Sequence, residues 1–316
     1  MSTITTTARP EATSRLRQNI IQHPLLAYFS IAFVGAWLFV SPLVFSQVGL
    51  RLLPFTLPAP LLIPFLLLGA LAGPTLGAFV VTATLDGKAG VRALLRRYLR
   101  WRVGLRWYLL VLVVQPLVII LALSLWLGSA LTAFIQHWQW TFSLYLPLIP
   151  TFFFLGGPLG EEPGWRGFAL PRLQQRYGAL VGSLILGFFW GTWHLPAYFV
   201  QGWLGPFTVP VFVGGIIAGM AGSIIVTWIY NNTRESIFIA ILFHAASNAA
   251  ITLAAHLLPA GLPHSGLVFF ILASNGVGVT AYGIWALLII IGTRGRLAYH
   301  PESVSTPVKA QAYVGS

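Results

Sequence analysis

The chain has 316 residues, of which 57% are hydrophobic and 8% charged, whereas a soluble domain carries about 25% charged residues. Composition therefore excludes an ordinary soluble protein and describes a polytopic membrane protein. The absence of cysteine excludes disulfides and cysteine-based metal or redox sites. A formal charge of +12 suggests nucleic acid at first sight, but the placement of the charges decides against it.

Residues 1–24 are polar, carry Arg9, Arg15 and Arg17, and read as a disordered cytoplasmic leader. The helix that follows is too long for a secretory hydrophobic region and has no small-residue cleavage site after it. Measured against a bilayer span of about 20 residues, the hydrophobic runs give eight transmembrane helices. They fall at 25–46, 59–84, 107–128, 142–160, 179–200, 209–230, 237–257 and 266–292, which makes 25–292 a single transmembrane domain. Residues 293–316 read as a disordered cytoplasmic tail. The expected fold is an all-α helix bundle with both termini cytoplasmic. In that arrangement seventeen of the eighteen basic residues fall inside and only Arg51 outside, as the positive-inside rule asks. The charge orients the protein in a cell membrane, and the bilayer takes the place of a nucleic-acid partner.

Between the second and third spans, Arg92, Arg96, Arg97 and Arg100 recur at helical spacing, which predicts an interfacial helix against anionic headgroups. The fourth span breaks at Gly156-Gly157-Pro158. A second helical piece is expected from about Leu159 to Gln175, because broken helices inside membranes occur where they line a cavity. In the sixth span Gly215, Gly219 and Gly222 share one face and are read as a helix-packing surface.

The chain owns six acids, and two of them, Glu161 and Glu162, stand together in this broken span. A carboxylate within a bilayer costs at least about 2.5 kcal/mol, so a doubled cost points to function. Glu162 and Arg166 are i,i+4, so one can hold the other by a charge-assisted hydrogen bond and leave Glu161 for a different task. His194 closes the fifth span. His244 and Asn248, again i,i+4, point from the seventh span toward the same place. At 1.5 Å per residue Glu161 stands ~16 Å above Arg172 and His244 ~12 Å above residues 234–236, whereas His194 comes out ~24 Å above Gly178. A hydrolytic site needs a base for water, donors for an oxyanion and a pocket that excludes bulk solvent, and these residues include all the parts. His23, His137, His256, His264 and His300 fall at interfaces or in tails and are weaker candidates.

At these residues the sequence resembles the type II CAAX prenyl endopeptidase and bacteriocin-processing family, also called CPBP or Abi proteins. The family motifs EExxxR, FxxxH and HxxxN read here as Glu161-Glu162-Pro-Gly-Trp-Arg166, Trp190-Gly-Thr-Trp-His194 and His244-Ala-Ala-Ser-Asn248, within about 145–257. Trp190 replaces the phenylalanine, with Phe189 adjacent, and aromatic packing is expected to be kept. The resemblance implies an intramembrane, glutamate-dependent endopeptidase acting on a membrane-associated or lipidated peptide. In the carried-over roles Glu161 and His194 activate water, His244 and Asn248 stabilise the oxyanion, and Glu162 and Arg166 support the site. No cofactor is expected. If zinc binds, Glu161, His194 and His244 are the residues to hold it, although a compact HExxH helix is lacking. Two other readings are a non-catalytic immunity or scaffold protein of the same family and a proton-coupled transporter. The sequence leaves the oligomeric state undetermined.

Overall fold

The structure, a computed structural model, describes residues 15–201, 203–204, 207–258 and 276–301. All regular structure among them is helical, with no strand. Six helices are long and apolar enough to cross a membrane, and a seventh span is counted if one bent pair is taken as a unit. The shorter apolar helix Gly278–Thr293 occupies most of the expected eighth span, whose first part lies outside the described residues. The helices are α1 (Arg15–Gln22), α2 (Pro24–Phe45), α3 (Ala59–Ala70), α4 (Leu76–Tyr98), α5 (Leu105–Leu109), α6 (Gln115–Leu127), α7 (Ala130–Gln136), α8 (Leu146–Leu155), α9 (Pro158–Gly164), α10 (Leu170–Tyr177), α11 (Ala179–Trp193), α12 (Val209–Asn232), α13 (Ile237–His256) and α14 (Gly278–Thr293). Wider π turns at Leu71–Thr75, Leu110–Val114 and Trp165–Ala169 join α3 to α4, α5 to α6 and α9 to α10.

The leader expected over 1–24 carries helix α1 in its second part, and residues 1–14 lie outside the described ones. Within the expected tail, Leu297 is fully buried and its carbonyl accepts from Asn231 Nδ2 at 2.9 Å, so the chain stays packed just past α14. Residues 302–316 are again outside the described ones.

Helix α13 is the axis of the bundle. In its most apolar stretch 78% of residues are buried, against 33–44% for the other spans, so α13 is walled by protein while its neighbours turn one side outward. Those outward sides carry Leu38, Leu121, Leu125, Leu288 and Ile291, all well exposed, as lipid-facing helices require. Ser236 caps α13: its Oγ accepts from the Ile239 N–H at 3.1 Å and donates to the Arg100 carbonyl at 2.5 Å. The helix carrying His244 and Asn248 therefore starts at a fixed height and rotation.

The expected break in the fourth span is present. Helix α8 ends at Leu155, α9 begins at Pro158, and the two pieces bend by 57°. Gly157, with φ 98°, is the turning point. Pro158 occupies the first turn of α9, where a missing N–H costs nothing. Pro163, deeper in α9, cannot donate to the Leu159 carbonyl four residues back. The Tyr98 hydroxyl of α4 donates to that carbonyl instead, and Thr75 Oγ1 donates to the next one, Gly160 O, at 2.6 Å. A buried carbonyl without a partner is costly, so the one carbonyl that Pro163 leaves unmatched ties α9 to α4, and the Thr75–Gly160 bond adds a second tie to the π turn between α3 and α4.

The basic segment after the second span differs from expectation in one residue. Arg92 and Arg96 are exposed, but Arg97 turns inward. Its Nη2 donates to Gly167 O at 2.8 Å, and its Nη1 meets Tyr230 Oη at 3.0 Å and Glu235 Oε2 at 3.4 Å. Helical spacing alone cannot separate a headgroup anchor from a tether, because the partners come from distant helices.

Gly160 and Gly164 let α9 lie against the π turn that joins α3 to α4. A Cβ on Gly164 would stand 2.5 Å from both Pro74 O and Tyr28 Oη, whereas one on Gly283 of α14 would meet nothing within 4 Å. Gly164→Ala is therefore expected to destabilise the detergent-solubilised protein by about 1–3 kcal/mol through overpacking, and Gly283→Ala to leave it as stable or more so. Thermal unfolding of the two variants side by side checks this.

Candidate active site

The π turn after α9 aims its residues inward. Glu161, Glu162 and Arg166 are all buried, Arg166 completely. Arg166 Nη1 donates to Glu162 Oε1 at 2.9 Å, which is the i,i+4 pairing expected from the sequence. His244 Nδ1 lies 2.9 Å from the same Glu162 oxygen. One carboxylate thus joins the broken helix to the axial helix through an Arg166–Glu162–His244 chain. A carboxylate oxygen accepts, so Nδ1 of His244 carries the proton and Nε2 is the nitrogen left for a ligand. Arg166 Nε and Nη2 and Glu162 Oε2 have no hydrogen-bond partner among the described residues. Part of the deficit is met by the Trp190 ring, whose centre lies 4.7 Å from the Arg166 guanidinium carbon.

Glu161 is held differently. Its Oε2 accepts from the Trp190 indole N–H at 2.9 Å. Among the described residues Asp86, Glu162 and Glu235 each pair with an arginine, and Glu161 has no ion pair. Its other oxygen lies against the break: a Cβ on Gly157 would come within 2.5 Å of Glu161 Oε1. Gly157 is thus required both by its positive φ and by the carboxylate it faces.

His194 sits on the turn where α11 ends and a short 3-10 turn, Leu195–Phe199, begins. Two indoles fasten that end to α2: Trp37 Nε1 donates to Trp193 O at 2.9 Å, and Trp193 Nε1 to Ala32 O at 3.0 Å. The Nδ1 of His194 donates to Trp190 O at 2.8 Å, since a carbonyl can only accept, and the neutral ring then has its lone pair on Nε2. Glu161 and His194 do not bond each other; each is fixed to Trp190, one at the indole and one at the main chain.

A cavity of about 190 Å³ opens beside these groups, bordered by Glu162, Trp190, His194, His244, Ser247 and Asn248. The two histidines therefore meet at one space despite the depth mismatch read from residue counting. Glu161 is absent from this border and lies behind the Trp190 indole. The remaining wall is apolar or small, with Phe243, Ile251, Gly215, Gly219 and Gly222. On the expected packing face of α12, Gly219 meets α11, where a Cβ would stand 3.3 Å from Gly187 O, and all three glycines also border the cavity. The close crossing is made from the other side, where a Cβ on Gly187 or Gly191 of α11 would run into the α12 backbone at Met220 and Ile216. A second polar cluster borders the cavity: Tyr282 Oη donates to Ser247 Oγ at 2.9 Å, and Gln115 Nε2 donates to Ser247 Oγ and, at 3.3 Å, to Phe243 O.

Of the weaker histidines, His137 stacks on Trp140 with centroids 4.2 Å apart, and His256 is exposed. His264 lies outside the described residues. Among the described residues no group of three His, Cys, Asp or Glu side chains is placed to hold a metal ion.

Sequence reading missed the part played by Trp190. Aromatic packing is kept, with the Trp190 ring edge-to-face with His194 and His244 while Phe189 stacks on Phe29 of α2, 4.3 Å between centroids, but the indole also supplies an N–H to Glu161. The available signal was the departure from the motif's phenylalanine, which adds an N–H beside two carboxylates.

Comparison with known proteins agrees with this arrangement. Residues 142–250 match the type II CAAX prenyl endopeptidase Rce1-like family, a stretch that contains the glutamate pair, Arg166, both histidines and Asn248. A protein named CAAX prenyl protease 2 from Methanococcus maripaludis is 31% identical over 174 residues, which is 52% of this chain. The chain spans 62% of that relative's length. With the three motifs in order on three helices that meet at one cavity, residues 142–250 are similar to the CPBP, or Abi, family.

Proposed function

We propose that the protein is an intramembrane endopeptidase that hydrolyses peptide bonds of a membrane-associated, CAAX-type prenylated substrate. The observation that carries this reading is Glu161, a buried carboxylate with no ion pair among the described residues, held by Trp190 at a cavity that gathers His194 from the end of α11 and His244 and Asn248 from α13. The other buried acid, Glu162, is neutralised by Arg166, as a structural carboxylate in a membrane interior needs to be, and the more exposed Asp86 and Glu235 also lie beside arginines.

In the proposed reaction Glu161 and His194 take the proton from a water as it attacks the scissile carbonyl. The carbonyl oxygen becomes an oxyanion that accepts from the Asn248 amide N–H and from Nε2–H of His244, which acts here as an imidazolium with its Nδ1 proton held by Glu162. Collapse of the tetrahedral intermediate breaks the C–N bond, and the proton held by the Glu161–His194 pair passes to the leaving amine. Glu162 orients His244 through Nδ1 and Arg166 secures Glu162, so both act through the histidine. No step calls on a metal.

With a farnesylated CAAX peptide and purified protein in nanodiscs, Glu161→Ala, His194→Ala and His244→Ala are expected to abolish cleavage while the protein stays folded. Asn248→Ala is expected to lower kcat by about 10²–10³, the effect of losing one oxyanion donor. Mass spectrometry of the released peptide reads the outcome, and wild-type turnover in Glu161→Ala or His244→Ala contradicts the mechanism. A second assignment is favoured by one observation: Glu162, not Glu161, borders the cavity and has an unpartnered oxygen. If Glu162 is the base, Glu161→Ala keeps its turnover.

Chelation is expected to leave activity unchanged, and metal analysis of active protein to find less than one equivalent of zinc. Activity lost to chelator and restored by zinc contradicts the metal-free route.

The termini are proposed to be cytoplasmic, in a cell membrane. Because the chain has no cysteine, Arg17→Cys and His300→Cys each supply one labelling site. Both are expected to react with a membrane-impermeant maleimide only from the cytoplasmic side.

A further inference from the structure

We infer that Trp190 is a positioning residue of the catalytic apparatus, its indole N–H fixing the Glu161 carboxylate in line with His194. This rests on the hydrolytic reading above and adds a residue to it. Four contacts converge on this one side chain and its carbonyl. The indole nitrogen donates to Glu161 Oε2 at 2.9 Å, and the carbonyl accepts from His194 Nδ1 at 2.8 Å. The ring lies under the Arg166 guanidinium at 4.7 Å and presents edge-to-face to His244, with centroids 5.3 Å apart and planes at 82°. Both proposed water-activating groups, Glu161 and His194, are thus referred to the same residue.

A phenylalanine at this position, as the family motif has, could reproduce the ring contacts and the main-chain carbonyl but not the N–H. In this chain that donor matters because Glu161 has no cation beside it among the described residues. A carboxylate in a low-dielectric interior without a donor is free to turn toward any polar group, including Arg166. Trp190 removes that freedom.

The test separates the donor from the ring. In wild type and in Glu161→Gln, the indole N–H signals of ¹⁵N-labelled full-length protein in micelles are compared, with the Trp190 signal assigned by its loss in Trp190→Phe. The Trp190 signal is expected to move upfield in Glu161→Gln, as a charged acceptor is replaced by a neutral one, while the other indole signals stay in place. A Trp190 signal that does not move overturns the inference. In parallel, cleavage of the farnesylated peptide is measured for Trp190→Phe and for site-specific replacement by benzothienylalanine, which has the indole's shape without its N–H. Both are expected to lose about 10- to 100-fold in kcat, the range for a hydrogen bond to a charged group, with KM and melting temperature unchanged. Replacement by 5-fluorotryptophan, which keeps the N–H, is expected to restore turnover. Cleavage by wild type with full turnover in both N–H-deficient variants overturns the role of Trp190 and leaves the protease reading standing. An indole signal that responds to Glu161→Gln in a protein that cleaves nothing supports the placement of Glu161 by Trp190 and sinks the protease reading instead.

Discussion

A buried carboxylate shared between an arginine and a histidine is the interaction on which the rest of this structure depends. Glu162 is almost fully buried and bonds Arg166 and His244 through one oxygen, tying a broken helix to the central one. Removing Arg166 would leave the Glu162 charge stranded in an apolar interior, a loss of about 3–5 kcal/mol for buried pairs. The surrounding devices serve to hold that chain in place. Gly157 turns the backbone, Pro158 starts the new helix, and Tyr98 accepts the task of satisfying Leu159 that Pro163 cannot perform. Arg97 reaches from α4 to the Gly167 carbonyl in the same π turn. A π turn is an energetically poor piece of helix that commonly marks a functional site, and here it puts Arg166 on the inner side.

The two adjacent glutamates consequently live in different electrostatic settings. Glu162 has full-charge partners and its position is determined by them. Glu161 has only the neutral indole of Trp190, together with a glycine backbone that leaves room for its second oxygen. That asymmetry gives structural meaning to a doubled cost which the sequence alone presents as a riddle. It also explains why the pair cannot be exchanged residue for residue: moving the countercharge by one position would rotate it about 100° around the helix.

The helices, the break at Gly156–Gly157 and the Glu162–Arg166 pairing were legible in the sequence because each is a local consequence of hydropathy, of Gly and Pro chemistry, or of i,i+4 geometry. What was not legible depends on partners far away in the chain. Arg97 shares its spacing with exposed Arg92 and Arg96, and only α12 and the π turn distinguish it. Gly215 and Gly222 share a face with Gly219, but which of these glycines meets a neighbour is fixed by α11. The bond from His244 to Glu162 joins residues 82 apart and follows from no periodicity. Trp190 was visible as a departure from the motif, yet its N–H acquires meaning only when the Glu161 rotamer is known.

The most direct measurement of the proposed division between the glutamates is a crossed comparison of Glu161→Gln and Glu162→Gln in nanodiscs, with melting temperature and peptide turnover recorded on the same samples. Glu161→Gln is predicted to melt at or above the wild-type temperature and to cleave nothing. Glu162→Gln is predicted to melt well below it, because Arg166 loses its countercharge in the interior. A Glu161→Gln protein that cleaves at the wild-type rate, or a Glu162→Gln protein as stable as wild type, would contradict the account.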